Sequence, residues 1–262
     1  MSNKRHNEMQ ANDLIARWPN NLLISRFIDM ATSQHDAPHS HNWHQMIYPK
    51  TGMLRTRAEN KEYFIPSSRA IMIPANVVHE SWALSNTEFI GIYINPIYVN
   101  DWPESCQIID VSPLLRELTN YVAKEVTFSD AMTDENKRLI NVLCDQLVLQ
   151  NREGLELNLP TDSRLKQISD NLLENPANND SLEIWSSKVG ASERTISRLF
   201  VKETGLTFKK WRQRLKLITS VKYLKEGISI KEISYRTGYS SSSAFIYSFR
   251  QEFKVTPQKF VK

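Results

Sequence analysis

The chain is poor in glycine and in cysteine. It contains 7 glycines and 2 cysteines among 262 residues, whereas glycine averages about 7% of residues in globular proteins. No G-x-G-x-x-G or G-x-x-x-x-G-K-[ST] pattern occurs, so the phosphate-binding loops of nucleotide enzymes are not predicted. Cys106 and Cys144 make no disulfide framework, which favours a reducing compartment.

The sequence also lacks long apolar segments. Runs such as Leu22–Ile24 and Ile71–Ile73 are far shorter than the ~18–20 residues that a membrane-spanning helix needs. The amino terminus has no apolar core of the kind that secretory signals contain. Because 40% of the residues are hydrophobic and 24% are charged, we expect an ordinary globular protein of the cytoplasm.

Charge is distributed unevenly along the chain. Residues 1–161 carry 14 Lys and Arg against 19 Asp and Glu, whereas residues 162–262 carry 19 against 10. A turn-rich stretch, 151–163, lies between the two halves. The length favours two domains. A basic domain joined to an acidic one indicates a polyanion, most often nucleic acid, as the partner of the second half.

The first half predicts strands followed by helices. Between residues 20 and 100, short apolar or alternating runs are separated by Pro, Gly and Asn, a pattern typical of a β-barrel or sandwich. Further on, apolar residues follow the helical period and predict helices at Ser112–Val126 and Asp134–Gln150. Asp134 is the expected N-cap of the second helix.

The second half contains an internal repeat. Leu182–Ser192 aligns with Ile230–Ser240 at an offset of 48 residues, and after a one-residue insertion Ile196–Trp211 aligns with Phe245–Phe260. Each copy predicts a helix, a tight turn and a second helix, at 182–203 and 230–253. In each copy a glycine at positive φ would end the first helix and a serine would cap the next; the residues concerned are Gly190, Gly238, Ser192 and Ser240.

The outward face of each second helix carries polar side chains that could bond base edges and phosphates. In the first copy these are Ser192, Glu193, Arg194, Thr195, Ser197, Arg198 and Lys202. In the second copy they are Ser240, Ser241, Ser242, Ser243, Tyr247, Arg250 and Gln251.

A predicted helix of roughly 18 residues, about 27 Å long, joins the two copies and ends at Gly227. Adjacent major grooves are ~34 Å apart, so such a spacer could hold two recognition helices in successive grooves. Its basic residues Lys209, Lys210 and Arg212, with Arg214 and Lys216 farther along, would lie near phosphates. A single helix-turn-helix can be a packing solution and a basic run a solvated face, but duplication together with net charge favours DNA binding.

Residues 164–262 resemble the AraC/XylS family of bacterial transcription regulators. The first copy matches the family through Leu182, Gly190, Ser192, Leu199, Phe200, Gly205 and Trp211. The second copy matches it through Ile230, Ile233, Gly238, Tyr239, Ser240, Phe245, Phe249, Phe253 and Pro257. Ser186 and Ser234 stand where the family usually has alanine, and Lys254 stands where it usually has glycine, so a helix ending without glycine is expected there.

The first half is similar to the two motifs of cupin barrels. The pattern His39-x-His41-x-x-x-Gln45 is followed by Gly52 and by Pro74-x-Asn76-x-x-His79. The resemblance implies that His39, His41 and His79 match metal-binding histidines, with Gln45 in place of an acidic ligand and Asn76 in place of a glycine. Three imidazoles would suit Zn²⁺, Ni²⁺ or Fe²⁺. Alternatively, they hydrogen-bond an effector or one another without metal.

Other residues of the first half have two possible roles. Trp43, Tyr48, Met72 and Trp82 could line an effector pocket or belong to the core, and His44, on the other strand face, is expected to be structural or exposed. The resemblance also implies a homodimer formed through the helices. We assign dimerisation to Leu139, Leu143 and Leu147, although packing against the chain's own barrel would explain the same face.

We therefore expect an α+β fold with two domains, a cupin-like barrel with two helices and an all-α domain. The expected segments are an arm (1–19), the barrel (20–110), a dimerisation segment (111–152), a linker (153–163) and the DNA-binding domain (164–262). The predicted function is sequence-specific transcription regulation, tuned by a ligand or metal and requiring no cofactor. The alternatives are a metal-dependent cupin enzyme with an accessory basic domain and an architectural DNA binder without ligand.

Overall fold

The computed structural model describes residues 10–99, 101–126, 132–150, 156–253 and 255–260. The chain forms two compact units, residues 1–59 with 63–155 and residues 60–62 with 156–262. The first unit is built of antiparallel strands and a few helices, and the second is almost entirely helical. The predicted α+β architecture with two domains is confirmed. A three-residue strand, Glu156–Asn158, lies where the sequence predicts only a linker.

Within the described residues, the first unit contains a short helix, α1, followed by nine strands. The elements are α1 (Ala11–Arg17), β1 (Leu23–Met30), β2 (His35–His39), β3 (His44–Pro49), β4 (Met53–Ala58), β5 (Lys61–Pro66), β6 (Arg69–Ile73), β7 (His79–Ala83), β8 (Thr87–Ile94) and β9 (Gln107–Asp110). One sheet has the order β1-β8-β3-β6-β9, and the other contains β5-β4-β7-β2.

Strand β3 shows how alternation assigns side chains to opposite faces of a sheet. Gln45 pairs with Tyr93 of β8, and the next residue, Met46, pairs with Ile92. Met46 and Ile92 belong to a large apolar cluster, whereas Gln45 points the other way, towards His41.

Two helices, α2 (Pro113–Glu125) and α3 (Asp134–Val148), pack on that apolar face. Ser112 caps α2 by accepting a hydrogen bond from the Leu115 amide at 3.2 Å. Thr133, not Asp134, is the N-cap of α3, because its hydroxyl accepts from the Asn136 amide while Asp134 is already helical. Both helices therefore occur where the sequence predicts them, with a correction of one residue at the second cap.

The second unit consists of seven helices and the short strand β10 (Glu156–Asn158) within its described residues. The helices are α4 (Ser163–Glu174), α5 (Leu182–Val189), α6 (Glu193–Thr204), α7 (Phe208–Lys225), α8 (Ile230–Arg236), α9 (Ser242–Phe253) and α10 (Pro257–Phe260). Their core includes the fully buried aromatic rings of Phe200, Trp211, Phe245 and Phe249. The joining helix α7 has 18 residues.

The two helix-turn-helix copies are confirmed, with one correction. Ser192 caps α6, as expected, by accepting from the Thr195 amide at 3.3 Å. In the second copy Ser241, not Ser240, accepts from the Ala244 amide at 3.1 Å. The one-residue insertion in the repeat thus lies before the cap and moves this function to the next serine.

The serines that replace family alanines keep their hydroxyls bonded within their helices. Ser186 donates to the Glu183 carbonyl and the buried Ser234 donates to the Ile230 carbonyl, each at 2.7 Å. These bonds compensate the cost of placing a hydroxyl against the core. The helix ending predicted at Lys254 lies outside the described residues.

Candidate DNA-binding surface and histidine cluster

Helix α6 buries one face and exposes the other. Ile196 and Phe200 are completely buried, and Leu199 is 9% exposed. The polar residues predicted to meet DNA lie on the opposite face, where all are exposed except Thr195, which is half-buried: Ser192, Glu193, Arg194, Ser197, Arg198 and Lys202. The capping bonds already use the hydroxyls of Ser192 and Thr195.

Helix α9 has the same division. Its buried face contains Phe245 and Phe249, and Tyr247 is 68% exposed on the other side. The remaining predicted contacts are exposed, with Ser242 half-buried: Ser240, Ser241, Ser243, Arg250 and Gln251. Each copy thus presents a polar helix face of the kind that recognition helices place in a major groove.

The basic residues of α7 do not all face solvent. Lys209 and Lys210 are exposed at its first turn, which leaves them available for phosphates. Arg212 is half-buried, with its guanidinium 4.9 Å from the centre of the Phe208 ring, and donates to the Asp180 carbonyl at 2.6 Å. Lys216 is only 7% exposed. The charged groups of Arg212 and Lys216 therefore make contacts within the domain.

Three histidines meet in the first unit. His39 ends β2, His79 begins β7 as its register partner, and His41 lies just after β2. One ligand nitrogen from each of the three lies within 4.8 Å of those of the other two. The three histidines are those that the sequence predicts, and the pairing of β2 with β7 brings His39 and His79 together.

Each ring of the cluster is held by a backbone carbonyl at Nδ1. His39 donates to Ala37 O at 2.8 Å, His41 to Trp43 O at 2.7 Å, and His79 to Val77 O at 3.0 Å. A carbonyl can only accept, so a neutral His39 or His79 ring carries its proton on Nδ1 and a lone pair on Nε2. The His41 ring has an oxygen acceptor at both nitrogens, Trp43 O at Nδ1 and Gln45 Oε1 at Nε2, so only one of them can receive its single proton. Histidine ligands of metals commonly donate their other ring N–H to an acceptor in this way.

Burial keeps the inner rings neutral. It lowers the pKa of His79 to about 3, and it also lowers the pKa of His41. The buried Nε2 of His79 has no hydrogen-bond partner among the described residues. Gln45 lies beside His41, with the side-chain oxygen 3.1 Å from Nε2. The cluster therefore brings together three imidazole side chains of the type that divalent transition metals bind.

His44 faces away from this cluster, as the sequence predicts. Its ring stacks on Trp102 with centres 4.9 Å apart, and its Nδ1 accepts from the Ala75 amide at 3.0 Å. Burial lowers the pKa of His44 to about 4. His44 is a structural residue.

The aromatic residues predicted to line an effector pocket are distributed over three places. Tyr48 and Met72 belong to the apolar cluster under α2 and α3, on the strand face opposite Gln45. Trp43 packs with α1. Trp82 stacks on His35 at 4.6 Å and carries the Arg55 guanidinium at 4.2 Å.

The structure does not bring these aromatic residues together, and core packing accounts for Tyr48 and Met72. Trp82 follows His79 by three residues along β7, so strand alternation places the two side chains on opposite faces.

The leucines assigned to dimerisation lie inside the first unit. Leu143 and Leu147 are completely buried, and Leu139 packs partly buried against the same cluster. The alternative of packing on the chain's own strands is the one observed, because these leucines lie on the inner face of α3. The outer faces of the two helices carry other apolar residues: Leu114, Tyr121, Val142 and Leu149.

Sequence inspection missed Tyr93. Its ring lies edge-on to His41 with centres 5.2 Å apart, and it is buried. The signal was the alternating strand 87–94, but its register against β3 is set by the fold.

In the described part of the chain, no helix has both the length and the apolar character to span a membrane.

Family comparisons agree with this architecture. Residues 21–169 match the model of the AraC-like ligand binding domain, and residues 185–262 match that of a helix-turn-helix domain. The first match covers more than half of the chain. A solved structure of ToxT from Vibrio cholerae covers 92% of this chain and 98% of its own at 14% identity, with a TM-score of 0.39.

Curated relatives are named as regulators. The HTH-type transcriptional regulator NimR of Escherichia coli strain K12 is 32% identical over 85% of this chain and 81% of its own. The HTH-type transcriptional activator RhaS of Enterobacter sp. strain 638 is 33% identical over 52% of this chain and 49% of its own. The chain is a regulator and not an enzyme, and it belongs to the AraC/XylS family of transcriptional regulators, with an AraC-like ligand-binding domain before its helix-turn-helix DNA-binding domain.

Proposed function

We propose that this regulator, acting in the cytoplasm, reads DNA by placing α6 and α9 in two successive major grooves. The observation that carries the proposal is the duplicated helix-turn-helix with an exposed polar face on each second helix, joined by the 18-residue helix α7. Such a helix is about 27 Å long, which is compatible with grooves ~34 Å apart. Arg198 and Arg250 are the proposed base contacts, and Lys209 and Lys210 the proposed phosphate contacts.

Selection of genomic fragments by the purified protein, at a stated salt concentration, tests this proposal. We expect enrichment of one element that spans two adjacent major grooves on one face of the duplex. Binding that depends on salt but is indifferent to sequence would contradict the proposal. Lys166→Ala is a charge-matched control for the variants Arg198→Ala and Arg250→Ala, because Lys166 is exposed on α4 outside the proposed contact set.

We propose further that His39, His41 and His79 bind one divalent transition metal, with Zn²⁺, Ni²⁺ and Fe²⁺ as the candidates. The convergence of three imidazole nitrogens supports this, together with the buried Nε2 of His79, which has no hydrogen-bond partner among the described residues. Gln45 would be a weak fourth ligand at best, since an amide bears no charge. A metal held by three ligands keeps an open position at which an effector can bind.

Isothermal titration of the metal-free full chain with Zn²⁺, alongside elemental analysis, tests the metal site. We expect one equivalent to bind, and His79→Ala to weaken binding by about tenfold or more. His35→Ala is the matched control, since His35 lies on β2 together with His39 but stacks on Trp82 outside the cluster. Failure of Zn²⁺ to bind, or equal binding by the His79 and His35 variants, would support hydrogen bonding to an effector without metal.

We also propose that the chain is a homodimer formed through the outer faces of α2 and α3. Four large apolar side chains are exposed there: Leu114 (54%), Tyr121 (56%), Val142 (44%) and Leu149 (73%). Residues seven apart lie on one helix face; Leu114 and Tyr121 form such a pair on α2, and Val142 of α3 forms one with Leu149, the C-cap residue of that helix. Light scattering of wild type and Val142→Asp tests this proposal, and a monomeric wild-type chain would contradict it.

A further inference from the structure

A loop of the first helix-turn-helix half touches the turn of the second. The loop precedes α5, and Gly238 lies in the turn between α8 and α9. The Asn179 side-chain amide donates to the Gly238 carbonyl at 2.9 Å. A Cβ placed on Gly238 would lie 2.6 Å from the Ala177 carbonyl oxygen. The two halves therefore meet directly, backbone against backbone.

Lys216 of α7 lies at this junction. Its ammonium group donates to Asn179 Oδ1 and, at 3.2 Å, to the Gly238 carbonyl. It also lies 5.8 Å from the centre of the Tyr239 ring. Burial lowers the pKa of Lys216 to about 8. A buried ammonium needs acceptors, and here one half supplies the first acceptor and the other half supplies the second.

Two more basic residues of α7 extend the connection. Arg212, one turn before Lys216, donates to the Asp180 carbonyl on the side of the first half. Arg214 forms an ion pair with Glu252 of α9 at 3.3 Å, on the side of the second half. The joining helix thus holds both halves by polar contacts as well as by its core face.

The repeat itself supplies an internal comparison. Gly190 and Gly238 occupy equivalent turns with nearly the same φ, +65° and +67°. Nothing lies within 4 Å of a Cβ placed on Gly190, whereas Gly238 is crowded by Ala177 and Asn179. Since the local backbone is alike, the crowding at Gly238 arises from contact between the halves and not from the turn.

We infer that Lys216, Asn179 and the Gly238 carbonyl form an orientation clamp that fixes the angle between the two helix-turn-helix units. The clamp thereby selects the spacing between the two elements of the DNA site. This inference rests on the proposed binding of two successive grooves. Lys216 acts as a positioning residue, because its ammonium group is occupied inside the domain and does not reach DNA.

The test is a spacing series on the selected DNA site. One base pair is inserted or deleted between the two elements, which rotates one element relative to the other by about a tenth of a turn. Affinity is measured for the full-length wild type, Lys216→Met and Asn179→Ala. Lys222→Met is the control, since Lys222 lies on the same helix with its ammonium group 5.5 Å from the ring of its neighbour Tyr223.

We expect wild type and Lys222→Met to lose affinity steeply when the spacing changes. Each clamp variant should weaken binding at the native spacing by about 2- to 30-fold, and should lose a smaller factor than wild type on the altered spacings. Thermal unfolding of every variant checks that the fold is retained. Asn179 is exposed, so its truncation leaves no cavity and keeps the inference testable if Lys216→Met does not fold.

Each outcome decides between the ideas. A spacing dependence equal in wild type and in the clamp variants that fold overturns the clamp while leaving two-groove binding intact. In that outcome the clamp variants lose affinity by the same factor at every spacing, which shows a general weakening of binding and no effect on the angle between the units. A wild type indifferent to spacing would overturn two-groove binding and the clamp with it.

Discussion

Alanine substitution at Gly190 and Gly238 provides a matched test of the contact between the two halves. Both glycines have φ near +65°, so alanine pays the same left-handed backbone cost of about 1–2 kcal/mol at each site. The surroundings differ, because a methyl group at Gly190 enters open space and one at Gly238 meets a backbone oxygen at 2.6 Å. The difference between the two variants therefore isolates the contact.

The additional cost at Gly238 follows from the rigidity of what it meets. A Cβ has no rotamer with which to avoid the Ala177 carbonyl, so either the loop or the turn must move. Overpacking of this kind costs about 1–3 kcal/mol. We expect the free energy of unfolding to fall by about 1–2 kcal/mol in Gly190→Ala and by about 2–5 kcal/mol in Gly238→Ala.

Hydrogen exchange of the full-length chain, resolved by mass spectrometry to peptides of the second unit, measures these changes. Opening free energies reported by peptides from each substituted turn and from the helix before it, α5 for Gly190 and α8 for Gly238, give the local loss of stability. Peptides from the strands of the first unit serve as the internal control and should exchange as in wild type. Equal destabilisation by the two alanines would refute the argument that the halves press against each other at Gly238.

Four further predictions concern single residues. Arg198→Ala or Arg250→Ala should cost about 1–3 kcal/mol of binding and relax sequence preference if the side chain contacts a base; fragment selection with each variant checks this. Leu147→Ala should destabilise the first unit by about 2–5 kcal/mol, measured by urea unfolding, because the side chain is buried. Gln45→Glu should raise Zn²⁺ affinity by about 10- to 100-fold in titration calorimetry, since it adds an anionic ligand beside His41. The pKa of Asp162 is lowered to about 2 by its bond to Arg164, so the small stabilisation absent from Asp162→Asn should be present above pH ~4 and lost as the pH falls towards ~2; acid titration of both proteins tests this.

Much of the second unit is predictable because its determinants are local. The helical period places apolar side chains on one face, and the turn glycine needs only its own φ to end a helix. Duplication then confirms each assignment independently. The polar faces of α6 and α9 were predicted residue by residue for this reason. The cap at Ser241 was missed because the sequence alone does not show whether the one-residue insertion lies before or after the capping serine.

The first unit was harder because strands are completed by partners distant in sequence. Tyr48 and Trp82 satisfy the pattern of pocket residues, yet register and alternation place them on the strand faces opposite Gln45 and His79. Likewise, Leu143 and Leu147 lie on an apolar helix face that fits either a partner chain or the chain's own sheet. Only the packing of α3 on that sheet decides between them.

The sequence by itself determined the two-domain plan, the repeat, the exposed polar faces of α6 and α9 and the identity of the three histidines, because period, turn chemistry and residue type are properties of short segments. The tertiary structure alone decided which atoms of distant segments meet. It brought His39 against His79 by strand pairing, and it enclosed the charge of Lys216 between two halves of a repeat. Long-range contacts of this kind depend on how faces pack, and no spacing along the chain encodes them.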